Sequence, residues 1–383
     1  MVLHFDHAEY EARQKRTLEQ MASDGLDGLL MFRQESMYYL TGYDTQGFVY
    51  FQCMVLTADG RFVLLTRAPD LRQAHHTSTL DDVRIWVDRA GADPAAELKD
   101  LLRDMGLEGK TLGIELESYG LTGRSWERVR TTLDGFCRLE DASDLVNRLR
   151  IVKSPAELAY VKKSAELGDL AHAAAREIAG PGVFEGDVLA AMQGAVFKGG
   201  GDYPAAHWIV GSGENALLCR YYTGRRTLSQ NDQLMLEFAA TYRHYHTAQM
   251  CTILIGDAAP EHVAMHGACQ EALAACEATL KPGATVGDVF DAHARVMDEH
   301  GYRSHRMNAC GYSMGSTFPP NWMDWPMFYH GNDVAIVPAM TFFLHMILMD
   351  SDSGRAMALG ESVVVTDDGC EPLNKAPLDL CRR

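Results

Sequence analysis

The hydrophobic and polar positions divide the chain into two parts with different orders of elements. In the first part, the pattern predicts an amphipathic helix at residues 10–23, then short apolar strands that alternate with helical stretches such as 95–105. Two of these strands are joined by Asp59-Gly60, a dipeptide that favours a tight hairpin turn. This order is typical of an α/β domain, which we expect to end near residue 150.

The second part begins with a helix whose start is clearly marked. Ser154 is suited to cap it, Pro155 suits its first turn, and Glu157 completes a capping box. Two groups of helices are each followed by a strand-rich block, and the blocks cover residues 208–256 and 334–366. Such an order predicts an α+β domain in which helices cover one face of an antiparallel sheet.

Composition and charge narrow the classes of function. Of the 383 residues, 47% are hydrophobic, so we expect a compact fold with a large core. A formal net charge of −17 disfavours nucleic acids and anionic membranes as partners. The first residues lack the apolar segment of a signal peptide, and the nine cysteines lack CxxC spacing. We therefore expect a cytoplasmic protein that binds neither nucleic acids nor membranes, and the charge says little about a small substrate.

Seven segments along the chain carry a family resemblance. They are MYYLTGYDT, RIVKSPAEL, IVGSGENALLCRYYTGRR, KPGATVGDVFDAH, ACGYSMGSTFPP, PAMTFFLHM and ESVVVTDDGCEPL. In content and order they resemble the pita-bread hydrolases, the group that contains aminopeptidase P, prolidase, creatinase and ectoine hydrolase. The resemblance implies a smaller N-terminal creatinase-like α/β domain at residues 1–150 and a C-terminal α+β pita-bread domain at 151–383. It also implies a homodimer.

The metallopeptidases of this family bind two metal ions through two aspartates, a histidine and two glutamates. By resemblance, Glu237 and Ala248 occupy the aspartate positions, Tyr312 replaces the histidine, and His345 replaces the first glutamate. Glu361 is the candidate for the last glutamate, with one residue left open in the register. Because a dinuclear site needs more lone-pair donors than this, we expect no metal and no other cofactor. The chain then resembles creatinase and ectoine hydrolase, two branches that work without metal.

Hydrolysis of a C–N bond without metal needs a base to activate water, a donor to the oxyanion and an acid for the leaving nitrogen. If residues 242–248 alternate as one strand, Tyr242, His244, His246 and Ala248 lie on one face. The candidate catalytic residues are Glu237, His244, His246, Tyr312, His345 and Glu361. We expect a carboxylate as the base, a histidine as the proton shuttle and the tyrosine as the oxyanion donor.

Substrate recognition is expected to involve a fixed positive charge. Arg220 stays protonated, and its planar guanidinium suits a substrate carboxylate, which predicts a small zwitterion or amino-acid derivative as substrate. By resemblance, the segment around Tyr39 lies at a dimer interface and reaches the partner's pocket. The candidate substrate-binding residues are Arg220, Tyr242, Trp322, Trp325 and Tyr39.

The expected function is therefore metal-free hydrolysis of a C–N bond in a small nitrogenous solute, and two other functions remain open. One is an Xaa-Pro dipeptidase or aminopeptidase that retains an atypical metal site through Glu237, His246, His345 and Glu361. The other is a non-catalytic pita-bread protein that only binds a ligand or another protein.

Overall fold

The structure is a computed structural model that describes residues 3–220 and 224–383. The chain divides into two compact units, Met1–Arg150 and Ile151–Arg383. None of the helices in the described part of the chain is long and apolar enough to cross a bilayer.

The N-terminal unit is an α/β domain built on a mixed six-stranded sheet in the order β4-β3-β2-β1-β5-β6. The predicted hairpin at Asp59-Gly60 is present, since β2 and β3 pair antiparallel on either side of it. The elements are α1 (His7–Ser23), β1 (Gly28–Met31), α2 (Gln34–Thr41), β2 (Cys53–Thr57), β3 (Phe62–Arg67), α3 (Ala68–Thr77), β4 (Val83–Trp86), α4 (Pro94–Asp104), β5 (Thr111–Ile114), α5 (Gly123–Leu133), β6 (Arg138–Asp141) and α6 (Leu145–Arg150).

The C-terminal unit has the predicted α+β order, in which two helices precede each group of strands. The predicted capping box is formed at the start of α7, and Thr285 and Asp288 form a second one at the start of α10. The elements are α7 (Pro155–Ile178), α8 (Glu185–Lys198), β7 (Ile209–Ser212), β8 (Asp232–Tyr242), β9 (Tyr245–Ile255), α9 (Pro260–Thr279), α10 (Val286–Glu299), β10 (Gly311–Ser313), β11 (Asp324–Met327), β12 (Thr341–Asp350), β13 (Arg355–Val365), β14 (Cys370–Pro372) and β15 (Cys381–Arg382).

The main path of the C-terminal sheet runs β11-β10-β12-β13-β9-β8-β7 and is antiparallel throughout. Helices α9 and α10 pack on the face that carries Leu344, Met346 and Leu359. Helix α7 covers β8 on the same side, where the Ser164 hydroxyl donates to the carbonyl of Ala240 at 2.7 Å. The strand residues of opposite parity therefore point away from these helices.

One row of residues crosses the sheet on this second face. Glu237 in β8 is opposite Met250 in β9, Met250 is opposite Gly360 in β13, and Gly360 is opposite His345 in β12. Residues that lie opposite each other in antiparallel strands project to the same side. The register therefore places Glu237 and His345 on one face, and this row positions the candidate site.

Candidate active site

Glu237 is the carboxylate at the centre of the candidate site. Its side chain lies in a buried stretch of β8. Burial raises its pKa from 4.5 to about 7, while the positive charge of Arg220 and a hydrogen bond with Tyr312 act in the opposite direction. A carboxyl group that titrates near neutrality exchanges its proton readily at physiological pH, which suits it for acid–base catalysis.

Tyr312 connects Glu237 to a buried indole. Its hydroxyl is hydrogen-bonded to the Glu237 side chain and accepts a hydrogen bond of 2.8 Å from Nε1 of Trp322. Burial, and next the negative charge of Glu237, raise the pKa of Tyr312 well above its ordinary value. The phenol therefore keeps its proton and remains a hydrogen-bond donor. Trp322, predicted to bind substrate, orients Tyr312 in this structure.

His345 lies beside Tyr312, with 5.7 Å between the ring centroids. Burial, together with a smaller effect of the positive charge of Arg220, lowers its pKa from 6.5 to about 4. Its Nδ1 is buried and has no hydrogen-bond partner in the described residues. His345 is therefore a neutral imidazole near pH 7, able to donate or accept a hydrogen bond but poorly suited to carry a proton as a cation.

Arg220 supplies the positive charge of the site. It is exposed, and its Nη1 donates to the carbonyl of Cys219 at 3.2 Å. Its charge acts on Glu237, Tyr312 and His345 together. Four of the predicted residues are thus brought together, namely a carboxyl, a phenol, an imidazole and a guanidinium.

The residues at the five family metal positions do not fit a dinuclear metal centre. Ala248 carries no donor atom, and Tyr312 keeps its proton because of burial and the adjacent carboxylate. At the last position, the register places Gly360, and not Glu361, opposite His345 and on the same face of the sheet. A Cβ there would be 2.6 Å from the carbonyl oxygen of Leu344 and 2.9 Å from the Phe343 ring, so the backbone and an aromatic side chain fill the space of a ligand. Within residues 3–220 and 224–383, no group of three or more His, Cys, Asp or Glu side chains is arranged to bind a metal ion.

Glu361 is not part of this site, which corrects the prediction made from the sequence. It pairs with Leu344, one position away from His345, and therefore projects to the face covered by helices. There it lies beside the carboxyl group of Glu277 of α9. Burial and this second carboxylate raise its pKa to about 8. The alternation of Leu359, Glu361 and Val363 with small residues is the sequence signal that could have indicated this orientation.

His246 points to the same face as Glu237, as predicted, but it is held by other contacts. It pairs with Thr241, four positions along β8 and roughly 13 Å from Glu237. Its Nε2 accepts from the backbone N–H of Ala205 at 2.9 Å, and its Nδ1 is 2.7 Å from the carbonyl oxygen of His244. Burial lowers its pKa to about 3. His246 is therefore a neutral structural residue, and the atypical metal site that required it together with Glu361 is not assembled.

His244 is not a strand residue, so the predicted alternation from 242 to 248 is wrong. β8 ends at Tyr242 and β9 begins at Tyr245, which leaves a two-residue turn with positive φ at Arg243 (50°) and His244 (65°). Such a turn usually contains Asn or Gly, and the sequence lacks this signal. The His244 ring stacks on Phe318 with 4.2 Å between the centroids.

Three predicted substrate-binding residues lie away from Glu237. Tyr242 has the opposite parity in β8 and packs on Tyr160 of α7, with 5.6 Å between the rings. Trp325 packs against the hydrophobic core beneath α9 and α10. Tyr39 is buried within the N-terminal unit, where its hydroxyl accepts from Nη2 of Arg16 at 2.8 Å. The expectation that it reaches a partner's pocket does not agree with this burial.

Two family models match the chain. Residues 159–367 match metallopeptidase family M24, and residues 13–152 match the creatinase/prolidase N-terminal domain. Ectoine hydrolase from Halomonas elongata is 28% identical over 99% of this chain and 98% of its own length. The probable dipeptidase PepE from Mycobacterium tuberculosis is 26% identical over 98% of this chain and 97% of its own length.

Solved structures support the same assignment at the level of the fold. Dipeptidase PepE from Mycobacterium ulcerans has a TM-score of 0.86 at 25% identity and covers 99% of both chains. Prolidase from Thermococcus sibiricus has a TM-score of 0.88 at 18% identity, over 98% of this chain and 99% of that chain. The chain therefore belongs to metallopeptidase family M24 and has the two-domain pita-bread fold, with a creatinase/prolidase N-terminal domain before the M24 domain.

Proposed function

We propose that this protein is a metal-independent hydrolase that cleaves a C–N bond, such as an amide, an amidine or a cyclic amidine, in a small nitrogenous solute bearing a carboxylate. The observation that carries this proposal is the state of Glu237. It is a buried carboxyl group with a pKa of about 7, hydrogen-bonded to Tyr312 and close to the charge of Arg220. The similarity to ectoine hydrolase supports the choice of bond.

Glu237 is the general base of this scheme. In its ionised form it removes a proton from the water molecule that attacks the carbon of the C–N bond. The protonated Glu237 then returns that proton to the leaving nitrogen, so that one group acts first as base and then as acid. A pKa of about 7 supports both steps, since neither protonation state is strongly disfavoured near neutral pH.

Tyr312 and His345 stabilise the charge that develops during the attack. Both carry neutral N–H or O–H donors near pH 7, because burial raises the pKa of the tyrosine and lowers that of the histidine. Their rings are neighbours on the face that carries Glu237. Fixed neutral donors in a buried setting stabilise an oxyanion more strongly than water does. The histidine therefore serves as a donor here, rather than as the cationic proton shuttle expected from the sequence.

Arg220 binds the carboxylate of the substrate. Its guanidinium offers two parallel N–H donors, a geometry that matches a carboxylate. The same charge favours the ionised form of Glu237 and helps to keep it available as a base.

Turnover of a substrate panel tests the proposal. The purified protein is offered creatine, ectoine and a series of Xaa-Pro dipeptides in metal-free buffer, and product formation is followed by mass spectrometry. We expect cleavage of a non-peptide C–N bond that is lost in Glu237→Gln. Cleavage that persists in this variant would contradict the role of Glu237.

The same panel addresses the other two functions. The solved dipeptidase and prolidase structures resemble this chain in fold, so an Xaa-Pro peptidase is the second candidate. Cleavage confined to dipeptides and dependent on added Mn²⁺ would favour it. A protein that binds panel members in calorimetry but converts none of them would be a non-catalytic binding protein.

The cytoplasmic location and the homodimer remain predictions. Light scattering coupled to gel filtration measures the oligomeric state, and a mass of one chain, 42.4 kDa, would contradict the dimer.

A further inference from the structure

Arg220 lies in the long connection between two strands of the C-terminal sheet, β7 and β8. β7 ends at Ser212 and β8 begins at Asp232, and the chain between them brings Arg220 close enough to Glu237 to lower the pKa of its carboxyl. Arg220 is exposed, and within the described residues its side chain donates one hydrogen bond, to the preceding carbonyl. Because this contact is with its own neighbour, we expect the position of Arg220 to follow the backbone before it, from Ser212 through the short helix at Gly213–Leu217.

Glu185 is hydrogen-bonded to both ends of this connection. It is the first residue of α8 and is fully buried. Its Oε1 accepts from the backbone N–H of Ser212 at 2.8 Å and from the Ser212 hydroxyl at 2.5 Å. Its Oε2 accepts from the backbone N–H of Arg226 at 3.3 Å, and its own N–H donates to the Arg226 carbonyl at 3.0 Å.

Arg226 adds a second set of contacts between the same ends. Its Nη1 donates to the Ser212 hydroxyl at 2.5 Å and to Oδ2 of Asp232 at 3.1 Å. Gly213 leaves room for the Arg226 guanidinium at the start of the connection, because a Cβ at this position would be 2.7 Å from Nη1 of Arg226. The Asp232 side chain is almost fully buried, so removing Arg226 leaves its carboxylate with only the backbone N–H groups of Ser229 and Gln233 as donors.

We propose that Glu185, Ser212, Arg226 and Asp232 form a clamp that positions Arg220 for recognition of the substrate carboxylate. This inference rests on the proposed function of Arg220. The four clamp residues act through Arg220 and are positioning residues. Because the charge of Arg220 acts on the pKa of Glu237, a displacement of Arg220 is measurable as a change in that pKa before a substrate is known.

The test measures the pKa of the Glu237 carboxyl by ¹³C NMR in protein labelled at the glutamate δ-carbon, with the resonance assigned by its loss in Glu237→Gln. We expect Arg226→Met to raise this pKa by about one pH unit, the usual scale for losing a nearby opposite charge, as Arg220→Gln does. Arg226→Lys is expected to fall between Arg226→Met and the unmodified protein. Arg225→Met is the matched control, since Arg225 is an exposed neighbour in the same segment, and it should leave the pKa unchanged.

An unchanged Glu237 pKa in folded Arg226→Met, alongside a raised pKa in Arg220→Gln, overturns the clamp. If Arg226→Met does not fold, Ser212→Ala decides in the same way, because it removes only the hydroxyl between Glu185 and Arg226 and keeps the backbone donor. An unchanged pKa in Arg220→Gln contradicts the placement of Arg220 and so both proposals. No turnover on the substrate panel, with the expected pKa changes intact, contradicts the hydrolase and leaves the clamp supported.

Kinetics with a converted substrate give a second readout. We expect Arg226→Met to raise KM about tenfold with a smaller change in kcat, and the double variant with Arg220→Gln to be no worse than Arg220→Gln alone. Additive losses in the double variant would show that Arg226 acts independently of Arg220.

Discussion

Replacing Glu237 with glutamine should change stability in a way that depends on pH. Burial raises the pKa of this carboxyl from 4.5 to about 7. Well below pH 4.5 the group is protonated in both the folded and the unfolded chain, and it does not change the free energy of unfolding. As the pH rises, the unfolded chain ionises first, which favours unfolding until the pH exceeds the folded pKa of about 7. At about 1.4 kcal/mol per pH unit, this difference in pKa lowers the free energy of unfolding by about 3 kcal/mol in total.

Urea unfolding of the wild-type protein and Glu237→Gln at pH 5 and pH 8.5 measures this loss. Other titrating groups are common to both proteins and cancel in the difference between their free energies of unfolding. We expect that difference to move by about 2.5 kcal/mol in favour of the glutamine variant between the two pH values, because part of the total is already lost at pH 5. The exposed Glu371 is the control position, since Glu371→Gln replaces a side chain that stays in water. A difference that is the same at both pH values would refute the assignment of a raised pKa to Glu237.

Three further predictions concern Arg220, Glu361 and Gly360. Arg220→Gln should raise KM tenfold to a hundredfold for a carboxylate-bearing substrate, the value of a charge-assisted hydrogen bond, and an equal rise for the corresponding amide would exclude carboxylate binding. Glu361→Gln should keep kcat within about twofold and should be more stable than wild type above pH 8, because the unmodified carboxyl lowers the stability of the fold as the pH rises from its ordinary pKa of 4.5 to its folded pKa of about 8; loss of turnover would return Glu361 to the active site. Gly360→Ala should lower the free energy of unfolding by about 1–3 kcal/mol, because its Cβ would lie 2.6 Å from the Leu344 carbonyl oxygen, and an unchanged urea midpoint would contradict this packing.

The fold was largely predictable from local signals that the structure uses directly. The capping box of Ser154 and Glu157 starts α7, and the Asp59-Gly60 turn joins β2 to β3. These are interactions between neighbouring residues, so the sequence contains all the atoms that decide them. Helix α2 was missed because its sequence, QESMYYLT, is nearly all buried and lacks the polar face that marks an amphipathic helix.

The candidate site was predictable only in part, because it depends on strand register. Glu237, Tyr312 and His345 were found by their positions in motifs, and the structure brings them together. Glu361 was misplaced because a shift of one residue in β13 reverses the face of the sheet. The network of Glu185 and Arg226 joins residues that are 41 positions apart, and a single sequence holds no local signal for such contacts.

Metal analysis combined with turnover shows whether this protein acts without a metal ion. The protein is purified without chelator, its transition metals are quantified by mass spectrometry, and turnover is measured before and after exhaustive treatment with EDTA. We expect less than about a tenth of a metal ion per chain and unchanged turnover after chelation, since the donor set at Glu237, Tyr312 and Gly360 does not fit a metal centre. Stoichiometric metal, with turnover lost on chelation and restored by Mn²⁺, would contradict it.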